Sequence, residues 1–190
     1  MFPLALLFAA AAQDPYVLLP RNYAVEFENQ FVRVSRVKYF PGDRLPEHRH
    51  PSIPTVYVYL NDAGPIRFVH KTPKFTLERP AVQAGGVRFN RNARVETHEV
   101  EYLGAAPSEY LRIELKTTPG PAHRDARLRA AEDFPWEDPQ LRITRSRGAP
   151  PKPARPAILI DIEARSFLWL DPKGSAPSPP SRLFVMLELK

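Results

Sequence analysis

The segment GDRLPEHRH, residues 42–50, holds a turn glycine, Gly42, then five residues, then two histidines, His48 and His50, that are separated by one residue. Residues two apart in a strand project to the same face, so the two imidazoles can address one point in space. The pair follows the Pro41-Gly42 turn that closes FVRVSRVKYF, and it precedes TVYVYL. That puts it where an incoming strand lines the mouth of a barrel. A third histidine, His98, stands in VETHEVEY, which also alternates as a strand does. A barrel that unites the two strands completes a three-imidazole cluster able to hold a transition metal.

Outward from that segment the chain reads as a series of short strands. Residues 23–40 hold two alternating runs, YAVEFEN and FVRVSRVKYF, with a turn at Glu28-Asn29. In the second run Phe31, Arg33, Ser35 and Val37 share one side and Val32, Val34, Arg36 and Lys38 the other, and neither side is cleanly polar. Both are rich in β-branched and aromatic residues. Further strands are expected at 55–60, 66–70, 74–77, 87–89, 96–102 and 110–115. Many short strands between closely spaced turn signals indicate an all-β sandwich or barrel. The 23 prolines against 8 glycines agree, because proline suits turns and sheet edges but not helix interiors. HRDARLRAAED, within 119–135, is the one helix expected in the folded body.

Beyond that boundary the sequence echoes itself. Trp136-Glu137-Asp138 followed by QLRITR resembles Phe27-Glu28-Asn29 followed by QFVRVSR, and YLRIELK (110–116) and FVMLELK (184–190) share their ending and their alternation. The C-terminal third is therefore read as a shortened second copy of the same β unit. It carries no histidine, so its expected work is structural, covering an exposed sheet edge of the first copy.

Composition narrows the function classes. Cysteine is absent, which excludes disulfides, thiolate metal sites and a cysteine nucleophile, so a metal must be held by nitrogen and oxygen. The net charge of +6 comes from basic residues interleaved with acidic ones, concentrated only at 121–129 and 142–147. That describes a solvated basic face, not a nucleic-acid site, and no helix-turn-helix pattern is present. The apolar run at 1–12, MFPLALLFAAAA, is too short to span a bilayer, and its Ala10-x-Ala12 ending fits a signal peptidase site. Export to a periplasm or beyond is expected, with a cytoplasmic location as the alternative.

GDRLPEHRH resembles the first conserved motif of the cupins, a glycine, five residues and His-x-His, followed in that family by a glutamate and a later glycine. Pro54 and Thr55 stand where the glutamate would be, and Gly64 lies near the closing glycine. AGGVRFNRNARVETHEV resembles the second motif, opening at Gly86 and ending in His98, with Asn92 and Arg94 in place of its proline and glycine. The resemblance covers about residues 25–117 and implies a double-stranded β-helix, or jelly-roll barrel, at 22–117. A helical linker at 118–135 and the degenerate second unit at 136–190 complete the expected organisation.

It also implies His48, His50 and His98 as ligands of a divalent metal, with Fe, Zn, Mn, Ni and Cu not distinguished. Tyr57 and Tyr59 share one face of TVYVYL and are candidates to contact a substrate. Arg88 and Arg112 can bind a carboxylate, although strand arginines more often face outward. Glu47 points away from the histidines, Glu96 and Glu101 are weaker ligand candidates, and His70 and His123, lacking partners at ligand spacing, are expected at the surface. Two functions follow from the resemblance. One is a mononuclear metal-dependent enzyme, an oxygenase or isomerase, acting on a small organic molecule. The other is a non-catalytic cupin that binds a small ligand or serves structurally. A small-molecule ligand, no nucleic acid, no stable membrane insertion and a homodimer are the expected associations.

Overall fold

The computed structural model describes residues 13–91, 95–117, 126–128, 134–137, 139–174 and 182–190. The described residues form three antiparallel sheets and one short helix, α1 (Pro15–Leu18). The first sheet has six strands in the order β1 (Tyr23–Glu28), β2 (Val32–Tyr39), β9 (Ser108–Leu115), β4 (Thr55–Tyr59), β7 (Val87–Asn90) and β10 (Ala126–Leu128). The second has four, in the order β3 (Arg44–His50), β8 (Glu96–Tyr102), β5 (Ile66–Lys71) and β6 (Lys74–Arg79). The third has five, in the order β11 (Phe134–Glu137), β12 (Leu141–Gly148), β15 (Arg182–Leu189), β13 (Ala157–Asp161) and β14 (Ser166–Leu170). No helix among the described residues is long and apolar enough to cross a membrane.

The six-stranded sheet is the middle layer. One face presents Val32, Val34, Val56, Val58, Phe89, Leu111 and Ile113 to Ile143, Ile158, Ile160, Val185 and Leu187 of the five-stranded sheet. The other presents Tyr23, Val37, Tyr39, Tyr57 and Tyr110 to Leu45, Phe68, Val100 and Tyr102 of the four-stranded sheet. Burial on both faces explains why neither side of FVRVSRVKYF is polar. Each fully buried Val, Leu or Ile contributes about 1.5–3 kcal/mol of transfer free energy, which makes the inter-sheet layer a principal source of stability. The C-terminal sheet therefore covers a face of the first unit, and the expectation that it covers an edge is corrected: a broad apolar face outweighs a single row of unpaired backbone groups.

Strand β1 serves both layers. It pairs with β2 as Tyr23↔Val37 and Val25↔Ser35, then slips by one residue so that Phe27 opposes Val34. This bulge turns Tyr23 toward the barrel and Phe27 toward the C-terminal sheet, where Phe27 and Phe31 stack on Trp169. The turn after it is held by Asn29, whose side-chain oxygen accepts from the amides of Phe31 and Val32.

The helix expected within 119–135 is corrected at its described residues, while 118–125 and 129–133 lie outside the described residues. Its described core, Ala126–Leu128, is strand β10, paired with β7 in the register Arg127↔Arg88, and Phe134–Glu137 is strand β11. An open sheet edge offers these residues backbone partners, which overrides the modest helix preference of Ala, Leu and Arg. His123, the run at 1–12, Asn92 and Arg94 lie outside the described residues.

Candidate metal centre

The four-stranded sheet positions the histidines. Strand β3 carries a bulge between Leu45 and His48, after which His48 pairs with His98 and His50 with Glu96. Alternation then directs His48, His50 and His98 into the barrel, where their side chains are fully buried at 0%, 4% and 3% exposure. Ring centroids lie 5.0 Å apart for His48 and His50, 4.8 Å for His48 and His98, and 5.3 Å for His50 and His98. One nitrogen from each ring lies within 4.8 Å of the other two. The sequence-derived triad thus converges.

The hydrogen-bond inventory of these rings suits a cation. His48 Nδ1 lies 2.9 Å from the Pro46 carbonyl, to which it donates, leaving the Nε2 lone pair directed inward. His50 Nδ1 and both ring nitrogens of His98 are buried without a hydrogen-bond partner. Such orphaned polar atoms are costly unless something occupies them. Burial pushes the His48 and His50 pKa values below the ordinary value, and it drives that of His98 down to about 2, with help from His48 and His70. All three rings are therefore neutral at physiological pH, the form a metal requires.

The middle sheet supplies the opposite wall. Tyr23, Tyr39 and Tyr110 form a chain of phenols, each hydroxyl 3.0 Å from the next, and Tyr23 Oη lies 3.4 Å from His48 Nε2. Burial holds the Tyr23 pKa at about 12, so its hydroxyl keeps its proton. Arg112, expected outside, is inside: it is 4% exposed, donates to Tyr57 Oη at 2.9 Å and pairs with Glu114 at 3.1 Å. Arg33 lies 3.7 Å from the same carboxylate. Glu114 and Thr55 are register partners on β9 and β4, both facing inward. Where the resemblance anticipates a metal-ligating glutamate, this barrel has a threonine beside a carboxylate already engaged by arginines.

The remaining candidates divide clearly. Tyr57 and Tyr59 both face the barrel interior, Tyr57 buried and Tyr59 half-buried. Glu101 lies on the outer face, paired with Arg44 and Arg67, and Glu47 accepts from Gln13. Glu96 is on the inner face, beyond the ligand group. His70, expected at the surface, is buried: its register partner is His98, its ring is 5.2 Å from that ring, and it stacks on Phe75 at 4.2 Å. Only the strand order β3-β8-β5 puts it beside the triad, which no local spacing reveals.

Fold and site together define a barrel of two antiparallel sheets, backed by a third, with a buried three-histidine cluster. Comparison with solved structures finds several that are similar to this chain. A cupin domain from Bordetella pertussis Tohama I is 21% identical over 50% of this chain and 92% of its own, with a TM-score of 0.42. A protein with a double-stranded β-helix domain from Klebsiella pneumoniae subsp. pneumoniae MGH 78578 is 15% identical over 56% of this chain and 82% of its own, with a TM-score of 0.37. The protein YhaK from Escherichia coli is 11% identical, covers 88% of this chain and 91% of its own, and has a TM-score of 0.56, so its likeness takes in the C-terminal sheet as well. No protein-family model matches the sequence, and no curated protein matches it significantly.

Proposed function

We propose that the barrel is a mononuclear metal centre, held by His48, His50 and His98, that serves oxygenase- or isomerase-type chemistry on a small organic molecule. The observation that carries this reading is His98, deeply buried between two other neutral imidazoles with neither ring nitrogen satisfied. A bound divalent cation supplies a Lewis acid that retains its full charge among three neutral ligands. The chain's own residues prepare the site: the Pro46 carbonyl fixes the His48 tautomer, the Tyr23 hydroxyl is a proton donor beside it, and Glu114 fixes Arg112 and through it Tyr57. A barrel that binds without reacting is the second reading, and Thr55 favours it, since no carboxylate stands at that position to tune the cation.

Elemental analysis of the purified protein tests the proposal. Metal near one equivalent is expected in the parent and is expected to be lost in His98→Ala. Metal-free protein that takes up no added Fe²⁺, Zn²⁺, Mn²⁺, Ni²⁺ or Cu²⁺ would overturn it. We also read the C-terminal sheet as half of a second unit, a reading supported by its strand order, and the run at 1–12 as an export signal. Amino-terminal sequencing of the mature protein checks the latter, with Gln13 expected as the first residue.

A further inference from the structure

The two sheets of the barrel meet at two seams, and the seams differ. Between β1 and β3 the segment around α1 closes the gap. Gln13 accepts from the Arg49 amide at 2.8 Å, Ser35 donates to Tyr16 Oη at 2.9 Å, and the Tyr16 ring packs edge-on against Tyr23 at 6.0 Å. The other seam lies between β6 and the β7–β10 end of the six-stranded sheet, and it is lined differently. Phe75, Leu77 and Arg79 pair with His70, Phe68 and Ile66 and so face the barrel side, yet Phe75 and Leu77 remain 45% and 37% exposed. Arg88 pairs with Tyr57 and faces the same interior from β7.

Each of these two arginines lies on an aromatic ring. The Arg79 guanidinium is 4.3 Å from the Phe68 centroid, and Phe68 is 5.2 Å from the His98 ring. The Arg88 guanidinium is 4.8 Å from the Tyr57 centroid, with Arg112 5.5 Å from the same ring. Among the described residues neither Arg79 nor Arg88 has a carboxylate at ion-pair distance, and Arg88 Nη1 is buried without a hydrogen-bond partner. Elsewhere the chain pairs its arginines freely, as at Arg33, Arg36, Arg67 and Arg112. Burial, and after it the neighbouring Arg88, press the Arg79 pKa downward, against an opposing pull from Tyr57, Tyr59 and the inward-facing Glu96.

We infer that Arg79 and Arg88 form a receptor for the acidic group of a small organic carboxylate, whose apolar or aromatic body enters by the seam beside β6 and lies against Phe68, Phe75 and Tyr57 toward the histidines. Guanidinium groups on aromatic supports present planar donors at little entropic cost, and a charge-assisted contact in a partly desolvated site is about twice as strong as a neutral one. This names the ligand class of the centre proposed above and rests on that reading only for the ligand's second contact, at the cation.

Calorimetric titration of the full chain with sodium benzoate and with neutral, nearly isosteric benzamide tests the inference. Benzoate is expected to bind about tenfold or more tightly than benzamide, the ratio that about 1.4 kcal/mol represents. Arg88→Gln and Arg79→Gln are each expected to remove most of that preference without changing metal content, and Arg88→Lys to retain part of it. Equal affinity for the two probes, or a preference unchanged in both glutamine variants, would overturn the inference. If the glutamine variants do not fold, the benzoate-to-benzamide ratio of the metal-free His98→Ala protein decides. His98→Ala separates the two proposals. A metal-free protein that still prefers benzoate removes the metal centre and keeps the receptor, whereas a metal-loaded protein indifferent to charge does the reverse.

Discussion

The five-stranded sheet and the first five strands of the six-stranded sheet share one arrangement. Ranked along the chain, both run first, second, fifth, third, fourth: β1-β2-β9-β4-β7 in one and β11-β12-β15-β13-β14 in the other. Only the former faces a four-stranded partner, and that partner carries every histidine of the cluster. The comparison separates scaffold from chemistry. A sheet of this order suffices to bury an apolar face, while the site depends on a second sheet that has no counterpart among the described C-terminal residues.

The largest expected effect probes the inner face that the C-terminal sheet lacks. Arg112→Leu leaves the buried Glu114 with only the more distant Arg33, 3.7 Å away, and breaking a buried pair in this way costs up to about 3–5 kcal/mol. The double variant Arg112→Met/Glu114→Gln should recover much of that loss, and urea melts of the parent and variants measure both. An unaffected single variant would mean that the inner face is wetter than its burial indicates.

Leu187→Ala, in the C-terminal sheet, addresses the shared apolar layer. Leu187 is fully buried there, and truncation should cost about 2–5 kcal/mol. Because the layer joins both sheets, the loss should appear as one cooperative transition followed equally by tyrosine and tryptophan signals. Two separated transitions would show that the sheets unfold independently.

How much of this could be read from the residues themselves is plain in the same two regions. Gly42, His48, His50 and His98 were legible because a turn glycine and strand alternation are local signals, and the self-echo of the chain pointed to a second sheet. Arg112 and Glu114 were not, since SEYLRIEL looks like a strand with one wet face until a third layer is known to cover its leucines and isoleucine. His70 escaped for a related reason, as its neighbour lies on β8, across the sheet and distant in sequence. The helix expected around Ala126 failed because propensity is weak beside an available sheet edge.

Acid provides the next contrast. Burial lowers the pKa of His48, His50 and His98 beneath the ordinary 6.5, so the unfolded chain takes up protons that the folded chain refuses. The stability of the metal-free protein is then full above about pH 6.5 and falls as the pH drops from there. Each ring contributes up to about 1.4 kcal/mol per pH unit. Burial lowers the His70 pKa as well, so His98→Leu should reduce the histidine part of the slope by about one quarter, and urea titrations between pH 7 and pH 5 report it. An unchanged slope would mean that His98 titrates alike in both states.

The smallest effect belongs to the surface. Arg33 and Lys116 hold the exposed Glu28 carboxyl at about 2, well below the usual carboxylate range. Glu28→Gln should nonetheless leave the melting temperature close to the parent's, because solvent and salt screen exposed pairs. A clear drop would give this corner, next to the Asn29 turn, a structural weight that neither sheet requires of it.

The slip in β1 carries a consequence for how this sequence can vary. One strand delivers Tyr23 to the phenol chain and Phe27 to the Trp169 stack because a single extra residue separates their two phases. Deleting Glu26 would put the strand in one phase throughout, leaving an aromatic ring facing the wrong layer whichever end kept its place. Length changes in this chain are therefore tolerable in its loops and forbidden here, where one residue keeps two cores in step.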